Sequence, residues 1–402
     1  MTGIDASILF SEMKIGNAVI KNRLVRSATY ESVANEDGTI GVEYSRIHTR
    51  LSRGNIGLIF TGMMAISQEG KSYRRQAGLE SDRGMEAFCA MNEEVHRNGA
   101  KIFAQLAHGG RQTMLHGRFP RDVSPGPLDL MYQVRPIGMS VKEIVSTIDA
   151  FSKAAARAKL AGFDGVQIHA AHGYLVSNFL SPYFNRRSDE WGGDSERRFA
   201  LLKRIYESIR ESVGSDFPIA IKTNISDHVP GGITPEEATE HIARLARLRI
   251  DAVEISCGSI AFSPFDMSRG KVPAKDLSRT MPVPLRPFAH LALTLAFPEY
   301  RYVFEEGYNL WASEKARSVL GNIPLIVVGG FRSPVVIENA LRDRKADFVS
   351  LCRPLICEPL IAKRWSEGDM RPSICTNCNK CLAGVARGMP LRCYQGTSKP
   401  SK

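Results

Sequence analysis

The chain reads as one (β/α)8 barrel with a cysteine-rich tail. Eight short apolar runs alternate with stretches of helical periodicity, and polar clusters stand where several of those runs end. The runs are Arg23–Ala28, Gly57–Ala65, Lys101–Leu106, Gly165–His169, Pro218–Thr223, Ala252–Ser256, Leu325–Val328 and Phe348–Leu351. They are rich in β-branched residues and bounded by turn formers, as strands are. Between them Met85, Phe88, Met91 and Val95 recur at helical spacing, as do Phe199, Leu202, Ile205, Ile209 and Val213. Strand and helix in alternation require a parallel sheet, and eight units close one into a ring with no free edge. A doubly wound open sheet is the alternative that the alternation leaves.

With 402 residues, 43% of them hydrophobic and 24% charged, the chain has the makings of a large globular core. Barrels of this class exceed 200 residues as single units, so length does not force a second core. The expected division is a barrel over 1–370 and a tail over 371–402 that shows no helix or strand pattern. Phe262–Arg301 is Pro-rich, basic and longer than an ordinary connection, which suits a lid-like insertion. No internal repeat is found.

The net charge of +11 raises nucleic acid as a partner, but no Lys/Arg run is long enough for a binding arm. The excess reads as scattered over solvated helices and partly as serving an anionic cofactor. The first residues have no basic leader before a long apolar core, so the expected location is the cytoplasm. Leu291 to Phe297, the most apolar stretch, is far below the ~20 residues needed to cross a bilayer. A small-molecule substrate is the expected partner, with no membrane and no nucleic acid, and a homo-oligomer stays open.

Chemistry in such a barrel sits where strands end. The fourth run closes on His169 and continues through His172 to Tyr174, two imidazoles and a phenol within six residues. Such a set grips a carbonyl oxygen and supplies a proton. A lone histidine is more often a satisfied structural residue, and zinc is disfavoured because the His spacing is three and no H-E-x-x-H is present. After the seventh run come Gly329 and Gly330, and after the eighth Arg353, an arrangement suited to a phosphate cradle. Gln105 ends the third run, while Lys222 and Asn224 end the fifth. An amide can read the edge of a flavin ring, and a cation near N1 and O2 stabilises its reduced form. Each of these alone is equally an ordinary polar residue.

His169-Ala-Ala-His-Gly-Tyr-Leu-Val-Ser-Asn-Phe-Leu-Ser-Pro, with Asn185-Arg-Arg-Ser-Asp-Glu-Trp-Gly-Gly and Glu196-Arg-Arg-Phe, resembles the Old Yellow Enzyme family of NADH:flavin oxidoreductases. Lys21-Asn22-Arg23, Gln105-Leu-Ala-His-Gly-Gly-Arg111 and Val328-Gly-Gly-Phe-Arg332 extend the likeness over roughly residues 8 to 370. The resemblance implies an FMN site lined by Ala28, Thr29, Gly62, Gln105, Lys222, Gly330 and Arg353. It implies that His169 and His172 bind the substrate's carbonyl oxygen and that Tyr174 donates a proton, with NAD(P)H as reductant of an activated alkene. Departures are Lys222 where many relatives have Arg, Ala28 where they have Pro, and Tyr30 near a position that tunes the flavin.

Of eight cysteines, Cys89, Cys257, Cys352 and Cys357 lie among apolar residues and read as buried small hydrophobes. Cys375, Cys378, Cys381 and Cys393 have the number and spacing of a four-thiolate metal site. A [4Fe–4S] cluster, a zinc ion and free thiols all remain open. Larger relatives that act on enoyl-CoA thioesters or amines carry a [4Fe–4S] cluster after a similar barrel, which makes an iron–sulfur relay the alternative function. A barrel that has lost its flavin and binds partners through a zinc-held tail is the non-enzymatic alternative.

Overall fold

The computed structural model describes residues 7–113, 115, 119–126, 129, 132–262 and 264–395; the end of the tail and Ser263 of the insertion lie outside them. Eight parallel strands close a barrel in chain order: β1 (Leu24–Arg26), β2 (Leu58–Ala65), β3 (Lys101–Ala107), β4 (Gly165–Ala170), β5 (Ile219–Asn224), β6 (Ala252–Ser256), β7 (Leu325–Val328) and β8 (Phe348–Leu351). Each lies within or against one of the eight runs expected from sequence. Ringing them are α1 (Val42–Arg53), α2 (Met85–Arg97), α3 (Val141–Leu160), α4 (Ser195–Val213), α5 (Pro235–Arg247), α6 (Ser313–Leu320), α7 (Pro334–Arg342) and α8 (Ile361–Ser366). Their inward stripes are the ones the periodicity marks, for example Phe88, Met91 and Val95 on α2. Polar caps set several starts: Ser140 and Glu143 form a reciprocal capping box on α3, and Thr234 caps α5 ahead of Pro235.

The two ends of the barrel differ in chemistry, and that difference positions the site. At the N-terminal end an antiparallel hairpin, Met13–Ile15 with Ala18–Ile20, packs Ile15 and Ile20 against Leu58, Phe60, Phe103 and Phe348. This apolar plug closes the bottom. Toward the C-terminal ends the inward side chains become polar: Gln105, Gln167, Lys222 and Glu254 are all buried there. Parallel register sets His169 beside Lys222 and Lys222 beside Glu254.

The insertion after β6 is structured. Its helix Arg286–Ala296 and shorter turns pack on a small core of Phe265, Val272, Ala274 and Tyr302. It reaches across to β8, because the Arg353 guanidinium donates to the carbonyls of Ser268 and Arg269. The expectation of a patternless tail is corrected by a helix at Lys380–Ala386. Two turns are too short to show periodicity, and docking holds them: Ala383 and Gly384 are buried, with the Tyr394 ring over Gly384. Among the described residues, no helix is long and apolar enough to cross a membrane.

Candidate active site

The end of β4 brings its three expected residues together. Past Ala170 the chain takes two left-handed residues, His172 at φ 65° and Gly173 at φ 80°. Only glycine fits the second, since a Cβ there would lie 2.4 Å from Gln112 Nε2 and 2.5 Å from Ser259 Oγ. This turn folds Tyr174 back so that its ring lies 4.8 Å from that of His169, with His172 at 5.3 Å from His169 on the other side. His172 is fixed by Ser256 Oγ at 2.7 Å from Nε2 and by Asn224, whose Oδ1 accepts from its backbone N–H.

Burial decides the charge states. Desolvation, with Lys222 nearby, pulls His169 down to about 3 and His172 well below the usual imidazole range. Both rings are therefore neutral at physiological pH. Burial, reinforced by the neighbouring Tyr73 phenol, pushes Tyr174 well above its ordinary value, so it keeps its proton. Among the described residues, buried His169 Nδ1 has no hydrogen-bond partner. An unpartnered ring nitrogen inside a folded protein is costly unless a ligand meets it.

Below these residues runs a buried chain of hydrogen bonds. Gln105 Nε2 donates to Gln167 Oε1 at 2.8 Å, and Gln167 Nε2 donates to Glu254 Oε2 at 2.8 Å. Lys222 Nζ donates to Glu254 Oε1 at 3.2 Å and to Ser27 Oγ at 2.8 Å. The cation is thus held rigidly next to His169. Glu254, Gln167, Ser27 and Ser256 are site residues that the sequence reading missed. A glutamate inside the otherwise apolar Ala-Val-Glu-Ile-Ser strand was the signal available for the first.

After β7 and β8 stand the residues expected to form a phosphate cradle. Among the described residues, the amide N–H groups of Gly330, Phe331 and Arg353 make no hydrogen bond within the chain. Gly329 packs closely on Asn309, where a Cβ would sit 3.0 Å from the backbone nitrogen. Arg353 commits Nη1 to Ser268, Arg269 and Asn379. Thr29 Oγ1 lies 3.2 Å from Cys352 Sγ, and Ala28 is half-buried against the barrel interior. Gly62 sits where β2 shifts register; its amide donates to Glu31 Oε1 at 2.7 Å, and a Cβ would lie 2.0 Å from Glu31 Oε2. Its backbone is therefore turned to Glu31, which also pairs with Arg26 and His48.

A barrel whose polar end carries these residues can now be set beside known proteins. Residues 8–272 match the profile of the NADH:flavin oxidoreductase / NADH oxidase family. The chain belongs to that family. Over 96% of its length this oxidoreductase is 34% identical to an NADH oxidase of Thermoanaerobacter brockii, of which it spans 55%. It is 32% identical to an NADPH dehydrogenase of Geobacillus sp. (strain WCH70) over 88% of the chain and 92% of the relative. An old yellow enzyme homologue from Zymomonas mobilis superposes with a TM-score of 0.71 at 26% identity, covering 92% of this chain and 96% of that one.

The family's cofactors are FMN and NAD(P)H, and the residues present suit the flavin. Free amides and a guanidinium after β7 and β8 match a phosphate. Lys222 and Gln105 supply a buried cation and an amide of the kind that reads a flavin ring.

The tail gathers its thiols. Cys375, Cys378, Cys381 and Cys393 line one cavity, and Cys357 joins them there. This corrects the reading of Cys357 as a buried small hydrophobe: it is half-buried and shares the cavity with Cys393, an approach made in space between residues 36 apart in sequence. Cys89 and Cys352 are also only half-buried, while Cys257 is buried as expected. Among the described residues, no group of three or more His, Cys, Asp or Glu is close enough to hold a single metal ion.

Proposed function

We propose that this chain is an FMN-dependent, NAD(P)H-oxidising ene reductase that saturates the C=C bond of an α,β-unsaturated carbonyl compound. One observation carries the reading: His169, His172 and Tyr174 converge at the end of β4 as two neutral imidazoles and a protonated phenol, with His169 Nδ1 unpartnered. FMN, when bound, would supply hydride chemistry between NAD(P)H and the β-carbon of the substrate. Ala28, Thr29, Gly62, Gln105, Lys222, Gly329, Gly330 and Arg353 are the residues assigned to hold it.

The side chains handle the oxygen and the proton. Ser256 Oγ and His172 Nε2 share a hydrogen bond of 2.7 Å, and the tautomer in which Ser256 donates carries the ring proton on Nδ1, where it can meet a substrate carbonyl. Hydrogen bonds from neutral imidazoles strengthen as that oxygen gains enolate charge, which is stabilisation of the transition state. Tyr174 gives its proton to the α-carbon, a transfer made favourable by the basicity of that carbon rather than by the acidity of the phenol. Tyr174→Phe is expected to slow alkene reduction about 10²-fold in anaerobic stopped-flow while leaving flavin reduction by NAD(P)H intact. Equal loss in both half-reactions, or in neither, refutes the assignment.

The thiol cavity favours one second reading, an enoyl-CoA or amine oxidoreductase whose flavin exchanges electrons with a [4Fe–4S] cluster held by Cys375, Cys378, Cys381 and Cys393. Iron and acid-labile sulfide assays on anaerobically purified protein separate the two. In either reading 1–370 is the barrel unit and 371–402 the cysteine-rich tail, working in the cytoplasm on a small molecule, alone or as a homo-oligomer.

A further inference from the structure

We propose that Tyr73 is a proton relay that recharges Tyr174 from solvent after each turnover; this rests on the reading of Tyr174 as proton donor. Tyr174 packs in a buried cluster with Met63 and Ala107, against which Ile260 and Tyr73 also lie, and its hydroxyl's hydrogen-bond partner among the described residues is the Tyr73 hydroxyl at 3.4 Å. The Tyr73 ring is held in place by stacking on Tyr30, with centroids 4.4 Å apart and planes at 16°. Tyr174 is buried, whereas Tyr73 is half-buried. Proton exchange with water therefore has its route through Tyr73.

Hydrogen-bond direction identifies which phenol gives the proton. Gln112 Nε2 donates to the His172 carbonyl at 2.6 Å, so its Oε1 faces Tyr132 and accepts from that hydroxyl at 3.0 Å. A phenol carries one proton. With that proton committed to Gln112, Tyr132 has none left to pass to the site. At rest the Tyr73 and Tyr174 hydroxyls share one hydrogen bond in which either can donate. Once Tyr174 has lost its proton, its negative oxygen is the stronger acceptor and draws the Tyr73 proton across.

The steps balance. The Tyr174 O–H bond breaks as the α-carbon C–H bond forms; the Tyr73 O–H bond breaks as that of Tyr174 re-forms. Water then protonates Tyr73, so each alkene reduced takes one proton from solvent. Burial raises Tyr174 well above the ordinary phenol range, which favours its reprotonation.

Tyr73→Phe keeps the stacked ring and removes the transferable proton. With 2-cyclohexenone as probe, pre-reduced Tyr73→Phe enzyme is expected to complete its first turnover at the parent rate. Its steady-state rate then falls at least about tenfold, with a larger solvent deuterium isotope effect in the slow phase. FMN content and flavin reduction by NAD(P)H, unchanged, show that the variant is folded. An unchanged steady state overturns the relay, and so does an equal slowing of first and later turnovers, which marks a positioning role. Tyr174→Phe is run alongside: a parent-like first turnover in that variant sinks the donor assignment itself, a failure distinct from that of the relay.

Discussion

Glu254 shows how one side chain organises many. It is fully buried and accepts from Ser27, Gln167 and Lys222 at once, holding the ammonium beside His169. Glu254→Gln leaves that ammonium buried without its counter-charge, and a loss of about 3 kcal/mol is expected in urea unfolding at neutral pH. A loss below about 1 kcal/mol would mean the pair is not working as an ion pair. The buried histidines set the acid limb of stability. His108 is held at about 4 and His169 and His241 at about 3 by desolvation. Since their unfolded value is near 6.5, the unfolded chain binds more protons between about pH 3 and 6.5, and stability falls as pH drops through that window. Each contributes about 2 kcal/mol of loss by pH 5. His241→Gln, remote from the site on α5, is expected to reduce the loss between pH 7 and pH 5 by about that amount in urea midpoints; an unchanged pH dependence contradicts it. Above pH 5 no imidazole ionisation of His169 is expected in the pH profile of alkene reduction.

At the scale of elements, what was legible followed the strength of the pattern. The eight barrel strands are buried on both faces, so they read as unbroken apolar runs between turn residues. The β4 end was legible because its chemistry is compressed into six residues. The N-terminal hairpin has three-residue strands, and the Lys380–Ala386 helix has two turns; both are held by tertiary contacts that leave no periodicity. Glu254 and Gln167 escaped for another reason: the layer they form with Gln105 and Lys222 comes from four strands and exists only after closure. The same holds for Cys357, brought to the tail thiols by the fold. Local chemistry makes its own prediction on α3, where Ser140→Ala breaks the capping box. A loss of about 1 kcal/mol in equilibrium unfolding is expected, with no change in activity.

The whole molecule is an apolar-bottomed barrel with a polar mouth, and Arg353 is one residue that ties both insertion and tail to that mouth. Arg353 bonds the insertion at Ser268 and Arg269 and the tail at Asn379, while Asn379 donates to Ser268 and Lys271. Disturbing Arg353 therefore disturbs the proposed phosphate cradle, the insertion and the thiol cavity together. The central claim is that this mouth holds FMN that NAD(P)H reduces. The visible absorption spectrum of protein purified without oxygen, before and after NAD(P)H is added, tests it most directly. Flavin bands that bleach on addition are the predicted result, with a broad underlying absorbance if the tail thiols hold a cluster. A colourless protein that does not take up added FMN would contradict the account.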